Sequence, residues 1–436
     1  MNWLGGQTDM TAHRSGIVTV LDIGSSKICC IIAKLKPCEE SQRLPGRTHR
    51  MRIIGIGHQK SRGVKSGVVV DLDRAEQAIR LAVDAAERMA GLTIESLIVN
   101  LSAGRLKSET FSARINLGGH EVDQGDIRRV LAAGARQAVV GDRQVVHSLP
   151  VAFSLDDERG VRDPRGMIGD ALGVDMHVLS GVAAPLRNLE LAVNRCHLSV
   201  ERMVATPYAS GLSALVDDEA EMGAACIDMG GGTTTLAVFA EGKFVHADAI
   251  AIGGNHVTLD LAKGLSTRLD DAERLKVMHG SALPASNDDR DIITVQPIGG
   301  DETEAPLQVP RAAMTRIVRA RIDETLEMIR DRLNQSGYGG SVGKRVVLTG
   351  GASQLVGLPE AARRILGRSV RIGRPLGVAG LPEAAKGPAF AAAVGLMIYP
   401  QVAGLEGRFT ARAFSQRMTG TGGRLSRMSQ WLRDSF

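Results

Sequence analysis

Two short segments far apart in the chain each deliver an aspartate from an apolar run into a turn built of Gly, Ser and Thr. In the first, Val18 to Leu21 lead to Asp22, Gly24, Ser25, Ser26 and Lys27; in the second, Ala224 to Ile227 lead to Asp228, Gly230, Gly231, Gly232 and Thr233. An apolar run resumes after each turn, from Ile28 to Ala33 and from Leu236 to Ala240, so each segment reads as a strand, a tight turn and a second strand. A carboxylate at a strand end can order a hydrated Mg2+, and glycine-rich turns let backbone N–H groups and hydroxyls approach phosphate oxygens with no Cβ in the way. An Asp-x-Gly turn alone also closes ordinary hairpins. Two of them facing each other would clamp one nucleotide phosphate tail from both sides.

A third segment has the same character. Lys344 to Thr349 reads as a strand, Gly350, Gly351 and Ala352 as a bare turn, and Gly357-Leu358-Pro359 as a helix start. Backbone this bare at a helix N-terminus suits close packing against a nucleoside or phosphate. The triple resembles the phosphate-one, phosphate-two and adenosine motifs of the actin, heat-shock chaperone and sugar-kinase superfamily. Four further stretches, Ser61 to Leu72, Asp271 to Gly280, Val347 to Leu358 and Val370 to Pro375, are similar to the bacterial cell-division FtsA family. That resemblance runs from about Gly16 to Phe436.

Composition sets outer bounds. A chain of 436 residues exceeds one core and should divide into two or more domains. With 51 Gly and only 3% aromatics, it suits Ala/Val/Leu-packed α/β layers rather than an aromatic binding surface. The net charge of +5 is modest, with much of the excess near the C-terminus, which suits an anionic membrane surface better than a nucleic-acid groove. Cys29, Cys30, Cys38, Cys196 and Cys226 show neither zinc spacing nor a disulfide framework and read as reduced thiols of a cytoplasmic protein. The first ten residues lack the basic and apolar regions of a signal peptide, and no stretch approaches the ~18 apolar residues of a spanning helix.

The elements that position the motifs follow from periodicity. A helix is expected over Arg74 to Ala90, ended by Gly91, burying Ala75, Ala78, Ile79, Ala82, Val83, Ala86 and Met89 on one face. Others are expected over Gln124 to Val139, Val182 to Cys196, Ala205 to Leu215 and Asp270 to Met278, with one from Arg311 to Leu333. Gly253-Gly254-Asn255 reads as a bare helix N-terminus pointing toward the cleft. Glu273 and Lys276, three apart, share a face and form a surface ion pair on the plain reading; Arg311, Arg316, Arg319 and Arg321 read as a solvated basic face.

The resemblance adds an architecture: an actin-like fold of two α/β domains with an FtsA-type insert. It implies an N-terminal extension (1–15), subdomain IA (16–102 and 180–216), the IC insert (103–179), IIA (217–255 and 337–400), IIB (256–336), a flexible linker (401–423) and a terminal helix (424–436). It implies ATP and Mg2+ in the cleft, with Asp22 and Asp228 organising the metal through water. Gly24, Ser25, Ser26, Gly230, Gly231, Gly232 and Thr233 would cradle phosphates, Lys27 would be a charge partner, and Glu273, Lys276, Gly350, Gly351 and Ala352 would hold the nucleoside. It also implies protofilament self-assembly, binding of the FtsZ C-terminal tail to IIB through the four arginines, recruitment of later division proteins through IC, and a place on the inner face of the cytoplasmic membrane at the division site. Actin orients its attacking water with a polar side chain near the first hinge, whereas Thr206-Pro207-Tyr208 offers no Gln or Glu there, so nucleotide binding with slow or conditional turnover is expected.

Wound at roughly 100° per residue, the final segment puts Leu425, Met428, Leu432 and Phe436 on one face, flanked by Trp431, with Arg427 and Arg433 pointing away. This is the pattern of a helix lying in a membrane interface, and the alternative is a helix docked on the protein's own core. Two relatives would use the same clamp for other ends: a sugar or small-molecule kinase, which needs a substrate base in the cleft, and a pilus-assembly scaffold, which also carries an IC-type insert. No Walker A or HExxH pattern occurs.

Overall fold

The computed structural model describes residues 16–37, 47, 49–102, 105–137, 141–299, 306–404 and 406. The N-terminal extension, most of the 36–50 loop and the terminal helix with Leu425, Arg427, Met428, Trp431, Leu432, Arg433 and Phe436 lie outside these residues.

Two five-stranded sheets share one topology. In the first, the strand order is Ser199–Ala205, Ser96–Leu101, Ile17–Ile23, Lys27–Pro37, His49–Lys60; in the second it is Ser369–Ile372, Arg345–Thr349, Ala224–Met229, Thr234–Ala240, Lys243–Ile250. Each begins as an antiparallel three-stranded meander and continues with two parallel strands. Parallel strands need crossover connections, and helices supply them. The chain is therefore a duplicated α/β unit, with the two Asp-bearing hairpins at equivalent central positions.

Inserted in the first half is a four-stranded antiparallel sheet, Lys107–Asn116, Ala171–Val182, Arg143–Leu155 and Glu158–Val161, packed on the helix Gln124–Gln137. The corresponding addition to the second half holds the helices Gly254–Gly264, Leu269–His279 and Arg311–Gln335 and a two-stranded ribbon, Ile292–Val295 with Leu307–Pro310.

The helix Leu72–Ala90 shows how small residues set the packing. Asp71 caps its start by accepting from Arg74 N–H at 3.1 Å, and Gly91 closes its end in the left-handed region at φ 68°. A Cβ on Gly55 or Gly57 of the facing strand would overlap the carbonyls of Ala86 and Ala82. Alternating glycines thus meet an alanine face, and the helix lies directly on the sheet. Ala75, Ala78, Ile79, Ala82, Val83 and Ala86 are buried, but Met89 is 55% exposed: in the last turn it is Ala90, against Gly55, that stays on the packed face.

Two largely buried helices, Thr206–Ala214 and Ala391–Val402, join the halves. They cross where a Cβ on Gly395 would overlap the Ala209 carbonyl. The second runs to Val402, and Glu406 beyond it is buried, so the ordered body extends into the stretch expected to begin a linker at Gln401.

Candidate functional site

The cleft between the halves encloses about 500 Å3. Asp22, Gly24, Ser25, Ser26, Lys27, Asp228, Gly230, Gly231, Gly232, Thr233, Glu273, Lys276, Gly350, Gly351 and Ala352 all line it. Register explains the convergence. Asp22 pairs across its hairpin with Cys29 and Asp228 with Thr235, while Gly24 N–H donates to Lys27 O at 3.0 Å and Gly230 N–H to Thr233 O at 2.9 Å. The same turn is built twice and aimed at one space.

Glycine is required where these turns meet. A Cβ on Gly231 would lie 2.7 Å from Ser26 Oγ, and one on Gly232 would lie 2.5 Å from Ser25 Oγ. Gly350 has φ 86°, and a Cβ there would overlap an Asp228 carboxylate oxygen, so the third turn packs directly on the second aspartate. The expected bare helix N-terminus at Gly254 is already committed: Gly254 and Asn255 N–H donate to the Gly230 and Gly231 carbonyls at 2.9 and 2.7 Å. Those groups shape the second turn and are not free for a ligand.

Burial dominates the electrostatics. Asp22 and Asp228 are each 7% exposed. Burial pushes the Asp22 carboxyl up to about 6, with Lys27 opposing and Asp228 adding to the rise; burial also raises Asp228, against a hydrogen bond from Ser210 and the charge of Lys27. Lys27 is lowered by burial, and both carboxylates resist that shift. Its Nζ donates to Ala389 O at 2.6 Å and sits 3.2 Å from the Phe390 ring centroid. It therefore ties the first hairpin to the segment that opens the last helix.

Two buried carboxylates facing one lysine make a site that a cation would complement. No group of three or more His, Cys, Asp and Glu among the described residues could cage a metal. The donor set fits an ion that keeps its waters and shares a ligand's oxygens, as Mg2+ does. Thr235 Oγ1 supports that fit: it is buried, lines the cleft and has no hydrogen-bond partner among the described residues.

On the other wall, Lys276 Nζ donates to Glu273 at 2.6 Å, Thr258 Oγ1 at 2.9 Å and Gly254 O at 3.2 Å, so the pair is a fixed polar corner and not a loose surface contact. Val277, Ala352, Leu355 and Val356 add an apolar slot suited to a flat base. Sequence reasoning missed Ser102 and Thr235 and gave Thr206 only a hinge role. Ser102 and Thr206 also line the cleft, their hydroxyls 2.7 Å apart, and Asn100 bonds both. Their signal was positional: Ser102 directly follows a parallel strand, and Thr235 sits opposite Asp228.

The four arginines do not form one exposed face. Arg321 is held by Asp260 and Glu324, Arg319 by Asp323, and Arg311 lies 3.7 Å from both Asp288 and Asp291. Arg316 differs: it borders a groove with Leu265, Leu307, Val309, Ala313 and Ile317, and makes no ion pair among the described residues.

Comparison with known proteins agrees with this architecture. A family sequence model described as "Cell division protein FtsA" matches residues 225–395, and one described as "SHS2 domain inserted in FTSA" matches residues 103–180. Cell division protein FtsA of Rhizobium meliloti (strain 1021) is 67% identical over 429 residues, covering 98% of this chain and 96% of the relative. That of Escherichia coli (strain K12) is 30% identical over 427 residues, covering 96% and 98%. Among solved structures, a chain of the "PilM-PilN type IV pilus biogenesis complex" aligns with TM-score 0.61 at 16% identity, over 88% of this chain and 98% of that one. MreB5 of Spiroplasma citri bound to ADP aligns with TM-score 0.52 at 13% identity, over 89% and 98%. The structural likenesses speak for the fold, and the sequence relatives for the lineage: this chain is an actin-like cell-division protein and belongs to the FtsA family.

Proposed function

We propose that the cleft binds ATP with Mg2+, and that the nucleotide-loaded protein assembles into filaments that tie the FtsZ ring to the cytoplasmic face of the inner membrane. The observation that carries this reading is the convergence of two equivalent aspartate hairpins and the Gly350 turn on one cavity. Bound Mg2+ supplies charge neutralisation at the phosphates. Asp22 and Asp228 orient its waters, the bare turns at Gly24 and Gly230–Gly232 receive phosphate oxygens, and Lys27 balances the carboxylates. Glu273 and Lys276 meet the ribose and base edge. With Ser102 and Thr206 as the hydroxyls at the hinge end of the cleft, and Thr206-Pro207-Tyr208 carrying no Gln or Glu, turnover is slow and ATP acts as an assembly switch.

The groove beside Arg316 receives the acidic and apolar FtsZ tail, with the arginine meeting a carboxylate. The segment 424–436 inserts in anionic lipid, weakly in one copy and persistently when filaments present many. Later division proteins dock on the inserted sheet.

The test is recruitment of fluorescent FtsZ from the same cell to a supported anionic bilayer with Mg2+ and ATP, comparing the full chain, a version ending at Gly423, and Asp228→Asn. Recruitment by the full chain alone is the expected result. Equal recruitment by the truncated version would remove the membrane role of the tail, and equal recruitment by Asp228→Asn would remove the nucleotide switch.

A further inference from the structure

Glu406, the last described residue, lies beyond the last helix yet is 1% exposed. One of its carboxylate oxygens is bonded to Nδ1 of His147, and the other accepts from the Tyr399 hydroxyl at 2.9 Å. His147 is itself fully buried, and its Nε2 meets the Ala205 backbone N–H at 2.9 Å. A backbone N–H only donates, so Nε2 is the acceptor and Nδ1 carries the proton directed at Glu406. The imidazole stands edge-on to Tyr208 and Tyr399, at centroid distances of 5.2 and 5.7 Å. Burial, aided by the Glu406 charge, raises both phenols well above their ordinary range and keeps them neutral.

These partners come from three parts of the fold. His147 is on the inserted sheet, Ala205 ends the last strand of the first sheet, and Tyr399 is on the last helix. Two of the three lead to the cleft. Ala205 is followed by Thr206, whose hydroxyl bonds Ser102 in the cleft, and the helix carrying Tyr399 begins at the cleft wall with Ala392. A carboxylate taken out of water is stable only while its donors stay aligned, because an unpaired buried charge is strongly unfavourable. Any shift that separates His147 from Tyr399 therefore takes a donor from Glu406 and favours its exit into solvent.

We infer that Glu406 is a releasable latch: seated, it pins the base of the segment 407–436 to the hinge and the inserted sheet, and hinge movement frees it. What moves the hinge rests on the nucleotide reading of the cleft given above.

Trypsin digestion of the full chain tests the latch. A protease needs several extended residues on each side of the bond it cuts, so cleavage after Arg408 requires Glu406 to leave His147, whereas cleavage after Arg424 does not. With rates normalised to a free peptide of residues 401–436, the ligand-free protein should be cut after Arg408 at least tenfold more slowly than after Arg424. Glu406→Ala should remove that lag, and Tyr399→Phe, which deletes one donor and little volume, should shorten it. Equal normalised rates at both sites, or a lag unchanged in Glu406→Ala, would overturn the latch. Added Mg2+ and nucleotide, with binding followed separately by a fluorescent analogue, should change the lag at least threefold. Binding without any change in the lag would overturn the coupling to the hinge, and absence of binding would overturn the cleft reading while the ligand-free lag still judges the latch.

Discussion

Replacing Asp22 by Asn should make the ligand-free protein more stable while removing its response to nucleotide. Asp22 is 7% exposed, and its carboxyl is pushed up from 3.8 to about 6, mainly by burial. A group that holds its proton more tightly folded than unfolded costs stability once the pH passes its unfolded value, and the full cost is reached above its folded value. At about 1.4 kcal/mol per pH unit, the ionised carboxylate costs about 3 kcal/mol at pH 8, roughly half of that at pH 5, and nothing well below the unfolded value. The Asn amide has nearly the same shape and carries no charge at any of these pH values. Chemical unfolding followed by circular dichroism should therefore favour Asp22→Asn by about 3 kcal/mol at pH 8 and by clearly less at pH 5. In the same variant, the rise in melting temperature produced by Mg2+ and ATP should disappear. A variant less stable than the parent at pH 8, or one with the same gain at both pH values, would refute the claim that burying this charge costs more than its attraction to Lys27 returns.

Gly395→Ala places a methyl group against the Ala209 carbonyl, where backbone meets backbone and neither helix can yield; it should destabilise by about 3 kcal/mol or more, seen as a lowered melting temperature or loss of soluble protein. Arg316→Glu should weaken binding of an FtsZ C-terminal peptide at least tenfold by fluorescence anisotropy, whereas Arg319→Glu, whose guanidinium already faces Asp323, should change it far less. Nucleotide affinity in the presence of Mg2+, measured by calorimetry, should fall as the pH drops through about 6, because Asp22 must lose its proton to face the cation. Chelation of Mg2+ should lower affinity at pH 8 and, repeated across the pH range, remove this pH dependence.

The site was legible because it rests on residue types with few other uses at that spacing. An aspartate leaving an apolar run into glycines marks a strand-end turn wherever the chain goes, and both hairpins form in the register that the pattern implies. What could not be read depends on which neighbours arrive from far away in sequence. Met89 continues the helical stripe in sequence, but it stays 55% exposed. The basic run from Arg311 to Arg321 looks like one surface, yet Asp260, Asp288 and Asp291 come from other segments and claim two of its members. Thr235 and Ser102 are ordinary residues until the opposing half closes the cleft over them. The buried Glu406 stands in a Gly-containing stretch that reads as linker, and its carboxylate has a place inside because His147, distant in sequence, and Tyr399 both meet it.

The duplicated topology also shows where the two halves have stopped being alike. Counting from each aspartate, Lys27 stands where the second hairpin has Thr233, and Cys29 where it has Thr235. The first hairpin thus contributes a charge that reaches across to Ala389 and Phe390, with beneath it a thiol that burial pushes up to about 12 and keeps neutral. The second contributes hydroxyls, one of them buried without a partner among the described residues. An unsatisfied buried hydroxyl costs on the order of 1–3 kcal/mol, whereas the thiol at the equivalent position behaves as a small apolar group and costs almost nothing. A fold that needed only a stable hairpin would gain from an apolar residue at Thr235, as it does at Cys29. The asymmetry is intelligible if the second hairpin must hydrogen-bond something polar that enters the cleft, while the first supplies the charge balance and the mechanical tie between the halves. The same side-chain differences that make the site chemically two-sided therefore also join the cleft to the last helix, and through Tyr399 to Glu406, the last described residue.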